Sequence, residues 1–467
     1  MLFHSFPFLL VFLPAVLAMY WTVAPRGGRR PALLVLTAAS LGFYAWWDWH
    51  FVFLLAGSVL INFACARRLA RLAAAATYQR RALLAAGIVA NLAPLAYFKY
   101  GAFVIENMQA LMAGFGPAPA LALPLAISFV TFEQIAYLVD GYRGTVPPHD
   151  FSSYCAYVTF FPRLIAGPIV RPGEILPQFH EPATYRLCLP NVAAGLLIFA
   201  IGLFKKVWLA DSFGPWAGTV FDQLAQPSFT DAWGGVLAFA LQVYFDFSGY
   251  TDMAVGLARF FNIPLPENFD SPYQADSLID FWRRWHMTLT RFLRDYVYIP
   301  LGGNRLGQRR QDLNLLVAMT LCGLWHGAAW TFVAFGALHG VLLVINHAWE
   351  RHGPRLPRAV AWPLTVVTVF ASYTLFRARS FGRVAAVGGG LFGWNGFAWK
   401  GTPLSVSGNQ LKWLLLGLAL VLLAPNRQRV LAWRWTTDWV YAFAVAALLV
   451  LSVLHIEAPA PFYYFQF

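Results

Sequence analysis

Apolar residues in this chain come in long runs closed by short charged or proline-bearing stretches, at about 6–21, 31–46, 51–65, 83–97, 121–139, 192–204, 235–261, 313–345, 360–376, 411–424 and 439–454. At ~1.5 Å of rise per residue, a hydrocarbon slab of ~30 Å is crossed by ~20 residues. The pattern therefore predicts an all-α, polytopic integral membrane protein with on the order of ten to thirteen membrane helices. Several runs are short or broken, and Pro124, Pro162, Pro168 and Pro172 interrupt otherwise apolar sequence. Non-helical backbone at membrane depth is tolerated only where protein or a water-filled cavity covers it, so re-entrant or interfacial helices around a cavity are expected. No fixed-period repeat or low-complexity segment divides the chain, and a single membrane domain over 1–467 is the simplest organisation.

Composition supports lipid as the solvent. The 467 residues are 59% hydrophobic, 17% aromatic and only 12% charged, with a mean hydropathy of +0.56, whereas a soluble chain carries about 25% charge. A soluble protein is excluded. The net charge of +13 sits in clusters between apolar runs, such as Arg26, Arg29 and Arg30 or Arg67, Arg68 and Arg71, which argues against nucleic acid and for the positive-inside rule. That rule places those loops in the cytoplasm, with Trp47 to His50 and the N-terminus outside; Trp46, Trp47 and Trp49 read as an interfacial aromatic belt. No cationic stretch precedes the first run, so a retained helix is expected there. The four cysteines, Cys65, Cys155, Cys188 and Cys322, show no metal-ligand or disulfide spacing, and no metal site is expected.

Three segments carry candidate chemistry. Over 280–296, at about 100° per residue, Phe281, Phe292, Trp285, Tyr296, Leu289, Trp282 and Leu293 share one stripe, with Arg283, Arg284, Arg291 and Arg294 opposite and His286 at the stripe's edge. That is an amphipathic interfacial helix, whose arginines could attract an anionic donor. The run 313–345 contains no Asp, Glu, Lys or Arg and is too long for one span, so a break is expected at Gly327, Ala328 and Ala329. His326 would then lie ~20 Å into the slab, where an ionisable side chain is costly and is a functional-site candidate, the alternative being a packed, neutral histidine bonded to a carbonyl. Cys322 reads as a packing residue, and His339 as packing or support for the site. In the third segment Gln242, Tyr244, Asp246, Ser248, Tyr250, Thr251 and Asp252 place polar groups in an apolar run, as helix glue or as the lining of a substrate tunnel. Neither a Gly-x-Ser-x-Gly elbow nor a phosphate-binding Gly-rich loop with Lys is present.

The stretches LPLAISFVTFEQIAYLVDGYRG (123–144), FFPRLIAGPIVRP (160–172), YFDFSGYTDMAVGLARFFNIPLPENFDSPY (244–273), FWRRWHMTLTRFLRDYVYIPLGGNR (281–305) and LWHGAAWTFVAFGALHG (324–340) resemble the membrane-bound O-acyltransferase family. The similarity is to its bacterial branch of alginate O-acetyltransferases and teichoic-acid D-alanyl transferases. It covers most of 1–350, leaving 351–467 as C-terminal helices. The resemblance implies a multi-helix fold with a central tunnel, and it maps the family's principal signature histidine to His326 and the second to His286. Asp246, Ser248, Tyr250, Asp252 and His339 become tunnel-lining candidates.

The resemblance further implies transfer of an acyl group from a cytoplasmic donor, acetyl-CoA or a carrier-protein thioester, toward an acceptor beyond the bacterial inner membrane. A histidine titrating near neutrality suits a base or nucleophile in such transfer. The leading expectation is O-acetylation of an exopolysaccharide such as alginate, completed by a periplasmic acetyltransferase or acetylesterase-like partner. The alternatives are acyl or D-alanyl transfer to teichoic acid, peptidoglycan or a lipid, and, in a different class, a transporter or flippase with a buried His and Arg relay. No bound cofactor is expected.

Overall fold

Apolar runs become helices where the pattern places them: Leu13–Gly27, Arg29–Ala45, His50–Arg71, Thr77–Leu95, Ile127–Arg143, Leu189–Phe204, Phe229–Arg259, Arg358–Arg377, Gly408–Leu423 and Trp439–Leu454. The computed structural model describes residues 1–112, 121–398, 408–432, 439–456 and 462–463, and among these there is no strand. Six described helical stretches are long and apolar enough to cross a membrane: Pro7–Gly27, His50–Arg71, Thr77–Leu111, Leu189–Gln223, Trp330–His352 and Arg358–Arg377. Gln410–Leu423 and Trp439–Leu454 are shorter apolar helices. Large apolar side chains such as Leu10, Phe53, Val89, Ile345, Leu364 and Phe443 stay exposed, as lipid-facing positions do. The chain is an all-α integral membrane protein.

Contacts divide it into two compact units, the first comprising 1–201, 251–266 and 456–461, the second 202–250, 267–455 and 462–467. In the first unit the proline-interrupted region has only short helices, Phe151–Thr159, Phe161–Leu164 and Pro172–Ile175, yet residues 160–170 are buried without exception. Protein therefore covers the irregular backbone, as the sequence requires. A buried arginine anchors it: Arg163 donates to Glu133 and to the Tyr157 carbonyl, and its guanidinium lies 4.8 Å from the Tyr157 ring centroid. Buried amides are matched too, Asn62 and Asn91 exchanging two hydrogen bonds at 3.0 and 2.6 Å.

In the second unit the run 313–345 splits as the length argument demands. Gln308–His326 ends at Gly327, and Trp330–His352 begins three residues later. The two helices form an antiparallel hairpin in near backbone contact: a Cβ on Gly323 would strike the Phe332 carbonyl oxygen, and one on Gly336 the Met319 carbonyl oxygen. Glycine at both positions permits that approach, the usual device where hydrophobicity cannot drive helices together in lipid. Gly327 meets the same constraint at the turn, since the Phe332 ring occupies the place of its Cβ.

Candidate active site

The amphipathic segment is not one helix. Leu278–Arg284, capped by the Ser277 hydroxyl, and Met287–Leu293 are separate, and His286 between them has a φ of 43°. Left-handed backbone costs a non-glycine residue about 1–2 kcal/mol, so something must hold it. The cause is non-local. In a continuous helix the Met287 and Thr288 amides would reach back to the Arg283 and Arg284 carbonyls; instead the segment around Asn268 intercepts them. Met287 N–H donates to the Asn268 carbonyl at 3.0 Å, Thr288 N–H to Asn268 Oδ1 at 3.3 Å, and Asp270 N–H takes the Arg284 carbonyl at 3.0 Å. The apolar stripe survives the break, with Phe281, Trp282, Trp285, Leu289, Phe292 and Leu293 all buried. His286, expected at the edge of the stripe, is instead fully buried.

The same asparagine sets the histidine's tautomer. A backbone N–H can only donate, so the Asn268 atom facing Thr288 is the carbonyl oxygen. That oxygen also lies 2.9 Å from Thr288 Oγ1 and 3.0 Å from His286 Nδ1. Nδ1 must therefore carry the hydrogen, and in the neutral ring Nε2 is the basic nitrogen. Phe247 stands edge-on to the imidazole with centroids 4.7 Å apart, and Trp325 lies at 6.0 Å.

His326 closes the helix Gln308–His326 and is 6% exposed. Its ring contacts Trp325 at 5.0 Å and Phe376 at 5.1 Å, and Cys322 Sγ, one turn back, is 3.9 Å from Nε2. His286 and His326 thus flank Trp325, their rings 6.0 and 5.0 Å from its own. Two buried imidazoles come together in an aromatic-walled site, one of them on a preset tautomer. That arrangement can accept and return a proton in a setting poor in water.

The remaining candidates occupy other places. His339 is buried with both nitrogens engaged: Trp282 Nε1–H donates to Nδ1 at 3.3 Å, so Nε2–H donates to Ser372 Oγ at 2.9 Å. It braces Leu278–Arg284 against Trp330–His352. Asp246 is buried in an ion cluster, its Oδ1 2.8 Å from Lys206 Nζ, which also bonds Asp211 at 2.7 Å, while its Oδ2 accepts from the Tyr463 amide. Ser248 and Tyr250 are buried in the same unit, and Asp252 is buried in the first unit. Of the four arginines, Arg284 is held by Asp280 at 2.9 Å, Arg294 by Asp295 at 2.7 Å, Arg283 is exposed and Arg291 half-buried. Sequence reasoning missed Asn268 and Lys206. A lysine closing an apolar run while a buried aspartate sought a partner was a readable signal for Lys206, and Asn268 lies inside a quoted motif without a pattern to single it out.

A model of the membrane-bound O-acyltransferase family matches residues 142–376, a span holding Asn268, His286, His326 and His339. The chain is similar to the peptidoglycan O-acetyltransferase of Helicobacter pylori, 40% identical over 428 residues, which are 85% of this chain and 80% of that protein. It is 40% identical over 387 residues to a probable alginate O-acetylase of Azotobacter vinelandii, covering 81% and 76% of the two chains. A probable alginate O-acetylase of Pseudomonas putida is 36% identical over 496 aligned positions, spanning both chains entirely.

Proposed function

The chain belongs to the membrane-bound O-acyltransferase family and is an O-acyltransferase of the membrane, and from that premise we propose that it passes acetyl groups from a cytoplasmic thioester across the bacterial inner membrane for O-acetylation of an exopolysaccharide such as alginate. The observation that carries this reading is that His326 and His286 are both buried and both pack against Trp325. In the proposed reaction an acceptor hydroxyl gives its proton to His326, its oxygen bonds the acyl carbon, and the thiolate leaves and is protonated in turn. His286, pinned by Asn268, orients the reacting groups. The donor is acetyl-CoA or a carrier-protein thioester, drawn toward the arginines of 283–294. A separate periplasmic acetyltransferase or acetylesterase-like protein is the proposed partner that completes delivery.

One observation favours a second acceptor. Identity to a peptidoglycan O-acetyltransferase equals that to an alginate O-acetylase and extends over more residues, so peptidoglycan is the competing glycan.

Two measurements with His326→Ala at matched membrane levels test the reading: thioester hydrolysis by the purified protein, and acetyl content of the exported glycan. Both should collapse. Wild-type values for the variant would refute the role of His326, and acetylated peptidoglycan beside an unmodified exopolysaccharide would select the second acceptor.

A further inference from the structure

The segment that breaks the helix at His286 is irregular and needs an anchor of its own. Residues 267–270 run outside the helices, yet Asn268 among them is buried and bonds His286 and Thr288. Just beyond Asp270 the backbone turns left-handed at Ser271, with a φ of 46°. Ser271 and His286 thus both hold a conformation that side chains disfavour, and such backbone persists only where its surroundings over-determine it. The Phe269 ring, 5.1 Å from Trp285 and 5.0 Å from Phe247, fixes the middle of the segment against the apolar core. Its ends require something else.

The C-terminal part of the chain grips both. Arg427 forks onto Glu267, Nε to Oε1 at 3.2 Å and Nη2 to Oε2, with its own side chain 7% exposed. Two parallel charge-assisted bonds are strong and directional, and this arginine is largely removed from water. At the other end Asn426 Nδ2 donates to Asp270 Oδ1 at 2.6 Å. The Arg429 amide, which can only donate, lies 3.0 Å from the second polar atom of the Asn426 side chain, so that atom is the oxygen and the one facing Asp270 is the nitrogen. Asn426 therefore caps Arg427–Ala432 with its oxygen while holding Asp270 with its nitrogen. A further tie follows at Gln274, whose side chain donates at 2.7 Å to the Leu422 carbonyl, one of those that the helix Gly408–Leu423 leaves without an internal partner at its end.

We propose that Arg427 and Asn426 are positioning residues of the active site: they clamp the two ends of 267–270 and, through Asn268, hold His286 on its Nδ1–H tautomer and in its left-handed turn. The clamp rests on the proposed thioester chemistry for what His286 does, and on the geometry alone for how His286 is held. Both residues lie beyond 376, so a part of the chain outside the matched family span governs a histidine inside it.

The test uses the purified full chain and two readouts: thiol release from acetyl-CoA per folded molecule, and the imidazole nitrogen NMR spectrum of histidine-labelled protein, in which the His286 signals are those lost in His286→Ala. Asn426→Asp keeps an oxygen to cap the helix but sets a carboxylate against Asp270. It should lower kcat roughly tenfold, less than the ~100-fold that a misplacement of about 1 Å can cost, leave KM for the donor little altered, and move the His286 signals toward a mixture of tautomers. Adding Asp270→Asn exchanges donor and acceptor and should restore both readouts. Arg427→Met should act likewise, Arg427→Lys, which keeps the charge without the fork, should lose less, and in an Asn268→Ala background Arg427→Met should cost no further turnover because the path to His286 is already cut. Normal turnover per folded molecule in Asn426→Asp and Arg427→Met, with only a lowered melting temperature, makes these contacts packing and overturns the clamp; so does a loss that Asp270→Asn leaves uncorrected or that adds in full to Asn268→Ala. If thiol release depends on His326 while both readouts ignore Asn426 and Arg427, only the clamp is wrong; if wild type releases no thiol but the His286 tautomer still depends on Asn426, the clamp stands and the proposed thioester chemistry falls.

Discussion

Replacing Asn268 with alanine removes the acceptor for three hydrogen bonds at once, from His286 Nδ1 and from the Thr288 amide and hydroxyl. Each is worth about 1 kcal/mol net, and a buried donor left unpaired costs about 1–3 kcal/mol. The hydroxyl can turn elsewhere, whereas the fully buried Thr288 amide cannot without rebuilding the turn. We therefore expect a stability loss of about 2–4 kcal/mol, large but within reach of a folded protein. Catalysis should suffer separately. Without Oδ1 the bond that favours the Nδ1–H tautomer is lost, and a bond worth about 1.4 kcal/mol corresponds to a tenfold change in that population. The turnover number per folded molecule should fall at least about tenfold, toward but not beyond the loss in His286→Ala, with KM for the donor little altered. Asn268→Asp keeps an oxygen in place and should recover part of the turnover, which a merely structural role would not predict. The assay is thiol release from acetyl-CoA by purified protein, normalised to the folded fraction from thermal unfolding. An Asn268→Ala protein that melts early yet turns over normally per folded molecule would refute the tautomer argument and leave Asn268 as a brace.

Four further outcomes are expected. Lys206→Met should leave Asp246 as an uncompensated buried charge and lower stability by about 3–5 kcal/mol, while the double change with Asp246→Leu should restore much of it in a thermal melt. Gly323→Ala should push the hairpin helices apart, because the added carbon meets the Phe332 carbonyl, and should cost activity by displacing His326 while Gly42→Ala, in open space, is silent. Asp150 caps the helix Phe151–Thr159: burial alone would raise its carboxyl, but hydrogen bonds from Ser152 and Ser153 and Arg29 at 3.4 Å bring it down to about 2. A depressed carboxyl contributes stability that is full above its unfolded value of 3.8 and lost as pH falls toward about 2, so the melting difference between wild type and Asp150→Asn should shrink from pH 6 to pH 3. Cysteines introduced at Asp48 and Ala70 in a cysteine-free background should be labelled by an impermeant reagent in spheroplasts only at Asp48; labelling only at Ala70 would invert the orientation.

Much of this protein was legible in its residue order because lipid imposes a simple rule. A backbone in hydrocarbon must satisfy itself, so apolar runs have to be helices, their lengths bound the spans, and a run of 33 residues must break where glycine and alanine permit. That logic located His326 at the end of Gln308–His326 and the turn at 327–329. It failed at 280–296, where periodicity alone reads one helix. The break there depends on Asn268 and Asp270, more than ten residues away, capturing amides and a carbonyl that local spacing assigns to the helix. Periodicity reports which face is apolar and is blind to a competitor brought in by the fold. For the same reason sequence could nominate Asp246 and His339 as polar groups at depth but not their duties. Lys206 and Ser372 had to be folded against them before one became half of an ion pair and the other a brace with both nitrogens spent. Fold class followed from the solvent; the partner of each buried polar group, and hence its chemistry, followed only from tertiary contact.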